Sequence, residues 1–261
     1  MFAQESINPA EVARELQEAR LAIGSSLDVQ RFVLDAFKQS NTVITPVNDH
    51  YRFDLRESPK AMRDEIGIDE SFNARFEMPV PHDVVYLQRT HRIVESLATY
   101  VMDTALDPMI QGIGHRAGTI RTRNVSRRTT LLLVRFRFDI VTKQRESVKS
   151  QIAEECRILA FAGSPANPEW MSASDAESHL HSEPHGNVSP EQGRDFVSAV
   201  IEHFESLQPH IETEAMERAD QLLGSHQRVR QATKTTGIKY EVKPQLPADV
   251  VGIYIYLPAA Q

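Results

Sequence analysis

Cysteine occurs once in the 261 residues, at Cys156, so no internal disulfide can form and no cysteine-rich zinc site can be assembled. No apolar run approaches the roughly 18 residues that a membrane-spanning helix needs. The opening stretch MFAQESINPAEVARE lacks the basic region followed by an apolar one that marks a secretory leader. These absences point to a reducing compartment, the cytoplasm, and to no membrane partner. Three motifs are missing as well: the G-x-S-x-G nucleophile turn, a glycine-rich dinucleotide turn, and a phosphate loop ending in Lys-Ser or Lys-Thr. Without the last of these, the chain alone is not expected to hydrolyse ATP by the P-loop route.

What is present describes a globular protein. Hydrophobic residues at 41% and charged residues at 25% are close to average usage, which argues against global disorder. The length fits one large or two medium domains. The net charge of −7 conceals an asymmetry. Between Arg116 and Lys149 there are ten Lys or Arg against two acids, Asp139 and Glu146, a local +8 that leaves −15 on the rest. Such a positive stretch on an acidic body suggests a binding face.

The periodicities give an α+β fold, an antiparallel sheet with a long basic central meander packed by helices, plus a small N-terminal helix/hairpin subdomain. A first helix is announced by Asn8, Pro9 and Glu11 and closed by Gly24. A second spans about Asp28 to Gln39, and a hairpin follows around Asn48-Asp49. Ser58-Pro59 opens a short helix ending at Gly67. Pro79 and Pro81 mark the expected boundary, giving subdomains 1–80 and 81–261. A helix over Arg92 to Leu106 then leads to three strands, AGTIRTRNV, TTLLLVRFRFDIVTK and SVKSQIAEECRILAFAG, expected to pair in sequence order as a meander. In the middle strand Thr130, Leu132, Val134, Phe136, Phe138 and Ile140 share one face, and Leu131, Leu133, Arg135, Arg137 and Asp139 the other. Residues 167–188 read as an exposed connection with at most a short helix near 174–181. A helix from Ser189 to Phe204 is expected to restart or kink at Pro209, and two closing strands, GIKYEVKP and VVGIYIYLP, are expected to add to a sheet.

Arginines dominate the candidate sites. Arg121 and Arg123 lie two apart in one strand, Arg135 and Arg137 two apart in the next, and Arg127 and Arg128 sit between them. Guanidinium groups at strand spacing on an open face suit successive phosphates, so these six form the expected nucleic-acid contact set. The opposing reading is that Glu155 and Arg157, alternating in the third strand, form cross-strand ion pairs that consume the positive face. His226, Arg228 and Arg230 form a second basic cluster at a helix C-terminal end, where ordinary capping explains cations more often than phosphate binding does; Arg228 and Arg230 join the contact set. His179, His181 and His185 have poor spacing for a metal, so no metal site is expected. Glu154 and Glu155 point to opposite faces of a strand, which spoils an acid/base dyad. Cys156 reads as a buried structural thiol.

Four ordered segments carry a resemblance: YLQRTHRIVESLATYVMDTALDP; GTIRTRNVSRRTTLLLVRFRFDI with AEECRILAFAG; ERADQLLGSHQRVRQA; and PQLPADVVGIYIYLP. Together they resemble the C-terminal portion of bacterial Swi/Snf-type helicases, superfamily-two DNA translocases similar to the RNA-polymerase-associated helicase, over most of residues 27 to 261. The resemblance implies a non-catalytic accessory region that follows two motor lobes. ATP and magnesium would then belong to the upstream motor, with no cofactor in this chain and no catalytic residue to carry over. It implies DNA as partner, with RNA as the other nucleic acid, or the helicase motor lobes or another protein. The alternative is a stand-alone protein-interaction module without nucleic-acid binding. A self-contained hydrolase or nuclease built on the histidines and carboxylates is the outsider.

Overall fold

The computed structural model describes residues 26–107, 109, 112–144, 147–232 and 238–259. The helix expected over residues 8–24 lies outside them. The protein is α+β, and the chain divides into two compact units, Met1–Gly114 and His115–Gln261.

In the first unit, helix α1 (Ser26–Gln39) leads into strands β1 (Val43–Val47) and β2 (His50–Asp54), joined by the two-residue turn at Asn48 and Asp49. Asn48 takes the left-handed backbone such a turn requires, with φ 54°. Helix α2 (Lys60–Ile66) stops at Gly67, whose φ of 76° forms a left-handed cap and whose N–H donates to the Arg63 carbonyl. Strands β3 (Ser71–Arg75) and β4 (Val85–Tyr86) follow, then helix α3 (Arg92–Leu106). The four strands lie in chain order, with only the β3–β4 pair parallel.

Val33, Phe37, Phe53, Met62, Phe76, Leu87, Ile93, Val94 and Leu97 meet in one core. Phe53 stacks on Phe72 with ring centroids 5.0 Å apart. That core explains why the division falls after residue 114 and not at the prolines near residue 80. The apolar stripe of α3 has nowhere to go but against the same aromatic residues that α1 and the hairpin bury. The proline stretch is therefore a connection inside the unit.

The second unit contains β5 (Ala117–Thr122), the long hairpin of β6 (Thr129–Gln144) and β7 (Ser147–Ser164), β8 (Asn167–Trp170), helix α4 (Ala173–Ser178) with a 3₁₀ turn at His179–His181, β9 (Gly186–Asn187), helices α5 (Pro190–Glu202) and α6 (Phe204–Ala232), and strands β10 (Ile238–Pro244) and β11 (Asp249–Pro258). Among the described residues these strands form a seven-stranded sheet in the order β8-β7-β6-β11-β5-β9, with β10 also paired to β6.

The expected meander is corrected here. β6 and β7 pair as expected, but β11 inserts between β6 and β5 and runs parallel to β5. The physical reason lies in the residues of β11: Ile255 and Leu257 are buried with Leu132 and Val134, so the chain end fills a central, two-sided position. The break between α5 and α6 falls at His203, and Pro209 lies inside α6.

Each face of the sheet has its own cover. On the helix face, Leu132, Val134, Phe136, Phe138, Leu159 and Phe161 bury against Val200 of α5 and Ile211, Ala215 and Ala219 of α6. On the other face, Leu131 and Ala160 bury against Ala176 of α4, with Tyr254 and Tyr256 packed alongside. Here α4 covers one end only. Farther along β6, β7 and β10 this face is left bare by the described elements of its own unit.

Candidate interaction surface

The alternation of β6 sets Arg135 and Arg137 on the bare face, as its sequence pattern requires. Across the ladder Arg135 stands opposite both Cys156 and Asp249, and Arg137 opposite Glu154. A bulge between Val250 and Gly252 changes the alternation of β11, so Asp249 shares this face with Tyr254. Its carboxylate Oδ2 accepts hydrogen bonds from Arg135 at 2.7 and 3.2 Å and from Arg137 at 3.0 Å. The Arg135 hydrogen bond, with the charges of both guanidiniums, holds the Asp249 carboxyl below the ordinary carboxylate range. All three side chains keep about a third of their surface in solvent, at 39%, 36% and 35%. Asp249 was not singled out from sequence, and no local signal marks it, because its partners lie 114 and 112 residues away.

Along the same face run Asp139, Val141 and Lys143 of β6 and Lys239, Glu241 and Lys243 of β10, by cross-strand register. Lys143 donates to Glu241 at 2.7 Å, and Gln245 donates to Asp139 at 2.9 Å. The cations Arg135, Arg137, Lys143, Lys239 and Lys243 number five. The acids Asp139, Glu154, Glu241 and Asp249 number four, leaving +1 on the described residues of these four strands, and Arg116, exposed beside Tyr254 and donating to the Val251 carbonyl at the bulge, adds one more cation. The +8 of the linear stretch is therefore not a lane of free positive charge.

The remaining arginines disperse. Arg121 aligns with Leu257, which places it on the helix face, opposite in direction to Arg135, and it donates to the Pro258 carbonyl at 3.2 Å. Arg123 lies beyond the end of β5 and is exposed. Arg127 makes a two-pronged pair with Glu169. Arg128 donates to the Gly163 carbonyl at 2.8 Å and lies over the Phe196 ring, 5.5 Å from its centre. Arg228 donates to the Ser225 hydroxyl at 3.0 Å. The side chains of His226 and Arg230 lie outside the described residues. The expectation that Arg121, Arg123, Arg127, Arg128, Arg135 and Arg137 share one face is thus corrected, because inserting β11 separates the two arginine strands and reverses the facing of Arg121 relative to Arg135.

Other readings also find their geometry. Glu155 is an ion-pair partner, but on the helix face, where Arg218 donates to both its oxygens at 2.9 Å and Arg157 approaches to 3.6 Å. Cys156 is exposed on the bare face and not buried, a correction that follows from its place opposite Arg135. Among the described residues no three His, Cys, Asp or Glu side chains gather as a metal site.

His210 of α6 stacks on Trp170, with ring centroids 4.0 Å apart and 18° between planes. Burial pushes the imidazole below its ordinary 6.5, against the opposite influence of Glu214 and Glu217. A lowered histidine value means that the unfolded chain binds the proton more readily. The contribution of His210 is therefore fully present above about pH 6.5 and is lost as pH falls through the folded value. Trp170 is the single tryptophan. Its fluorescence is expected to change on acidification with a midpoint below 6.5, and His210→Leu is expected to abolish that change. A midpoint above the ordinary histidine value would contradict the burial account.

The fold is a two-unit α+β protein whose second unit carries its charged face on a hairpin-centred mixed sheet. A family model described as a domain of unknown function, DUF8741, matches residues 110–261, and the chain belongs to that family. The match begins close to His115, where the second unit starts. No curated protein matches the sequence. Nothing in the family match concerns helicases, so the helicase resemblance rests on the four sequence segments alone.

Proposed function

We propose that the protein is a non-catalytic accessory module of the cytoplasm that docks a protein partner through the bare face of its C-terminal sheet. The motor lobes of a Swi/Snf-type DNA translocase are the partner class that the sequence resemblance suggests. The observation that carries this reading is the Arg135–Asp249–Arg137 cluster. Two guanidiniums, each about one-third exposed, divide one carboxylate, so both keep donors for a second acceptor while the surrounding face is nearly balanced in charge. A surface of interspersed charge with unspent arginine donors suits a protein carrying acidic side chains. A phosphate lane needs uncompensated cations in a row.

Nucleic-acid contact is the second reading, favoured by one observation: the cluster itself carries one positive charge in excess. The two readings separate in a pull-down with purified motor lobes. Wild-type protein is expected to retain the motor. Arg135→Glu/Arg137→Glu is expected to lose at least tenfold in retention, because each reversed charge now faces both Asp249 and the partner's acids. Retention unchanged in the double variant would overturn the docking reading.

A further inference from the structure

The outer edge of β7 is the longest unpaired strand edge among the described residues. β8 pairs with it only over residues 161–164, which leaves Ser147 to Leu159 without a ladder partner on that side. Edge strands of this length recruit another strand unless they are blunted. This one contains no proline and shows no register shift against β6. It also exposes apolar side chains on the bare face, Val148 at 65% and Ile152 at 64%, with Cys156 beside them.

We infer that the protein forms a symmetric dimer in which β7 pairs antiparallel with β7 of a second copy, about a two-fold axis at Ile152. The sequence of the edge is self-complementary about that residue. Ile152 meets its own copy, and Val148 meets Cys156 of the partner subunit, all on the bare face. On the helix face Lys149, exposed and without an ion pair among the described residues, meets the partner's Glu155. Ser150 meets the partner's Glu154, and Ser147 the partner's Arg157. No like charges stand opposite each other.

Registers moved toward the N-terminal end lose the opposite-charge pair, since an axis at Gln151 sets Lys149 against the partner's Ala153 and one at Ser150 sets it against the partner's Gln151, and registers moved the other way oppose like charges. Moving the axis to Ala153 sets Lys149 against the partner's Arg157. Moving it to Glu154 opposes two carboxylates. Backbone direction agrees as well. Met171 N–H donates to the Ala160 carbonyl from the outer side, so by alternation the even-numbered residues of β7 aim their N–H and C=O groups outward. Pairs 148 with 156, 150 with 154 and 152 with 152 are all even, which gives about ten inter-subunit backbone hydrogen bonds. A two-fold contact of one patch with itself is the commonest form of closed assembly. Neither Arg135 nor Arg137 enters this pairing, so failure of the motor-docking reading leaves it standing.

The test uses the full chain. Light scattering on the wild type is expected to give twice the monomer mass, and Ile152→Lys, an exposed change that leaves the circular dichroism spectrum intact, is expected to give the monomer. Val148→Cys is expected to form a disulfide dimer with the native Cys156 of the partner subunit under mild oxidation. Wild type and Ser150→Cys, whose thiols are out of register, are expected to stay uncrosslinked. Monomeric mass for the wild type across micromolar concentrations would overturn the dimer. Crosslinking of Ser150→Cys as efficient as that of Val148→Cys would overturn the register.

Discussion

Phe136→Ala is expected to lower the stability of the second unit by about 3–5 kcal/mol, out of the ~5–15 kcal/mol that a domain ordinarily has. Phe136 is 1% exposed and lies on the helix face of β6, with the Phe138 ring 6.4 Å away and the apolar stripes of α5 and α6 above. Truncating it removes the transfer free energy of the ring and leaves a cavity that a strand paired with β7 here, and with β11 and β10 just before and after, cannot close. Urea denaturation followed by the fluorescence of Trp170, which borders the same core, reads the effect. The control lies in the same hairpin. Cys156→Ser, on the exposed face, is expected to shift stability by less than about 0.5 kcal/mol. Equal losses at both positions would mean that the two faces of the hairpin are not sorted as described.

Asp249→Asn should separate structural from binding consequences at the arginine cluster. All three partners are about one-third exposed, so solvent screens the ion pairs and their loss is expected to change stability little. The sign of the pH effect is fixed. The depressed carboxyl contributes stability above the unfolded carboxylate range near ~3.9 and loses it as pH falls through the folded value. The variant is therefore expected to lose part of the acid sensitivity of the wild type. The larger effect is on the surface. Removing the shared acceptor adds one positive charge to the face and frees two guanidinium groups. DNA binding at low salt is expected to appear in the variant, with a log-log salt slope of about −1 to −2. If Asp249→Asn binds DNA no better than wild type, Asp249 is not what withholds these arginines from phosphate.

The sequence was most readable where local pattern decides structure. The hairpin at Asn48-Asp49, the helix stop at Gly67, the helix over Arg92 to Leu106 and the alternation of β6 all appear where turn chemistry, capping and periodicity place them. Tertiary pairing was not readable. Nothing in β5 or β6 announces that β11, more than a hundred residues later, will lie between them. A strand apolar on both faces can fill an edge or a centre equally well by pattern alone. Because of that insertion, a run of arginines that is continuous in sequence is split between two faces of the sheet. The partner that neutralises Arg135 and Arg137 came from the same distant strand, through a bulge at Val251 that no propensity predicts. Cys156 was misplaced for a related reason. Its neighbours Ile152 and Ile158 look like a core stripe, yet that stripe is covered by α4 only near Ile158.

Titration of wild-type protein against duplex DNA at about 50 mM and about 200 mM salt tests most directly whether the charged face is a protein-docking surface and not a phosphate lane. A near-neutral face with its arginines engaged by Asp249 predicts no saturable binding at micromolar concentration at either salt. Saturable binding at low salt with a log-log slope of about −4 or steeper would mean that four or more cations reach phosphates together, and would contradict the account.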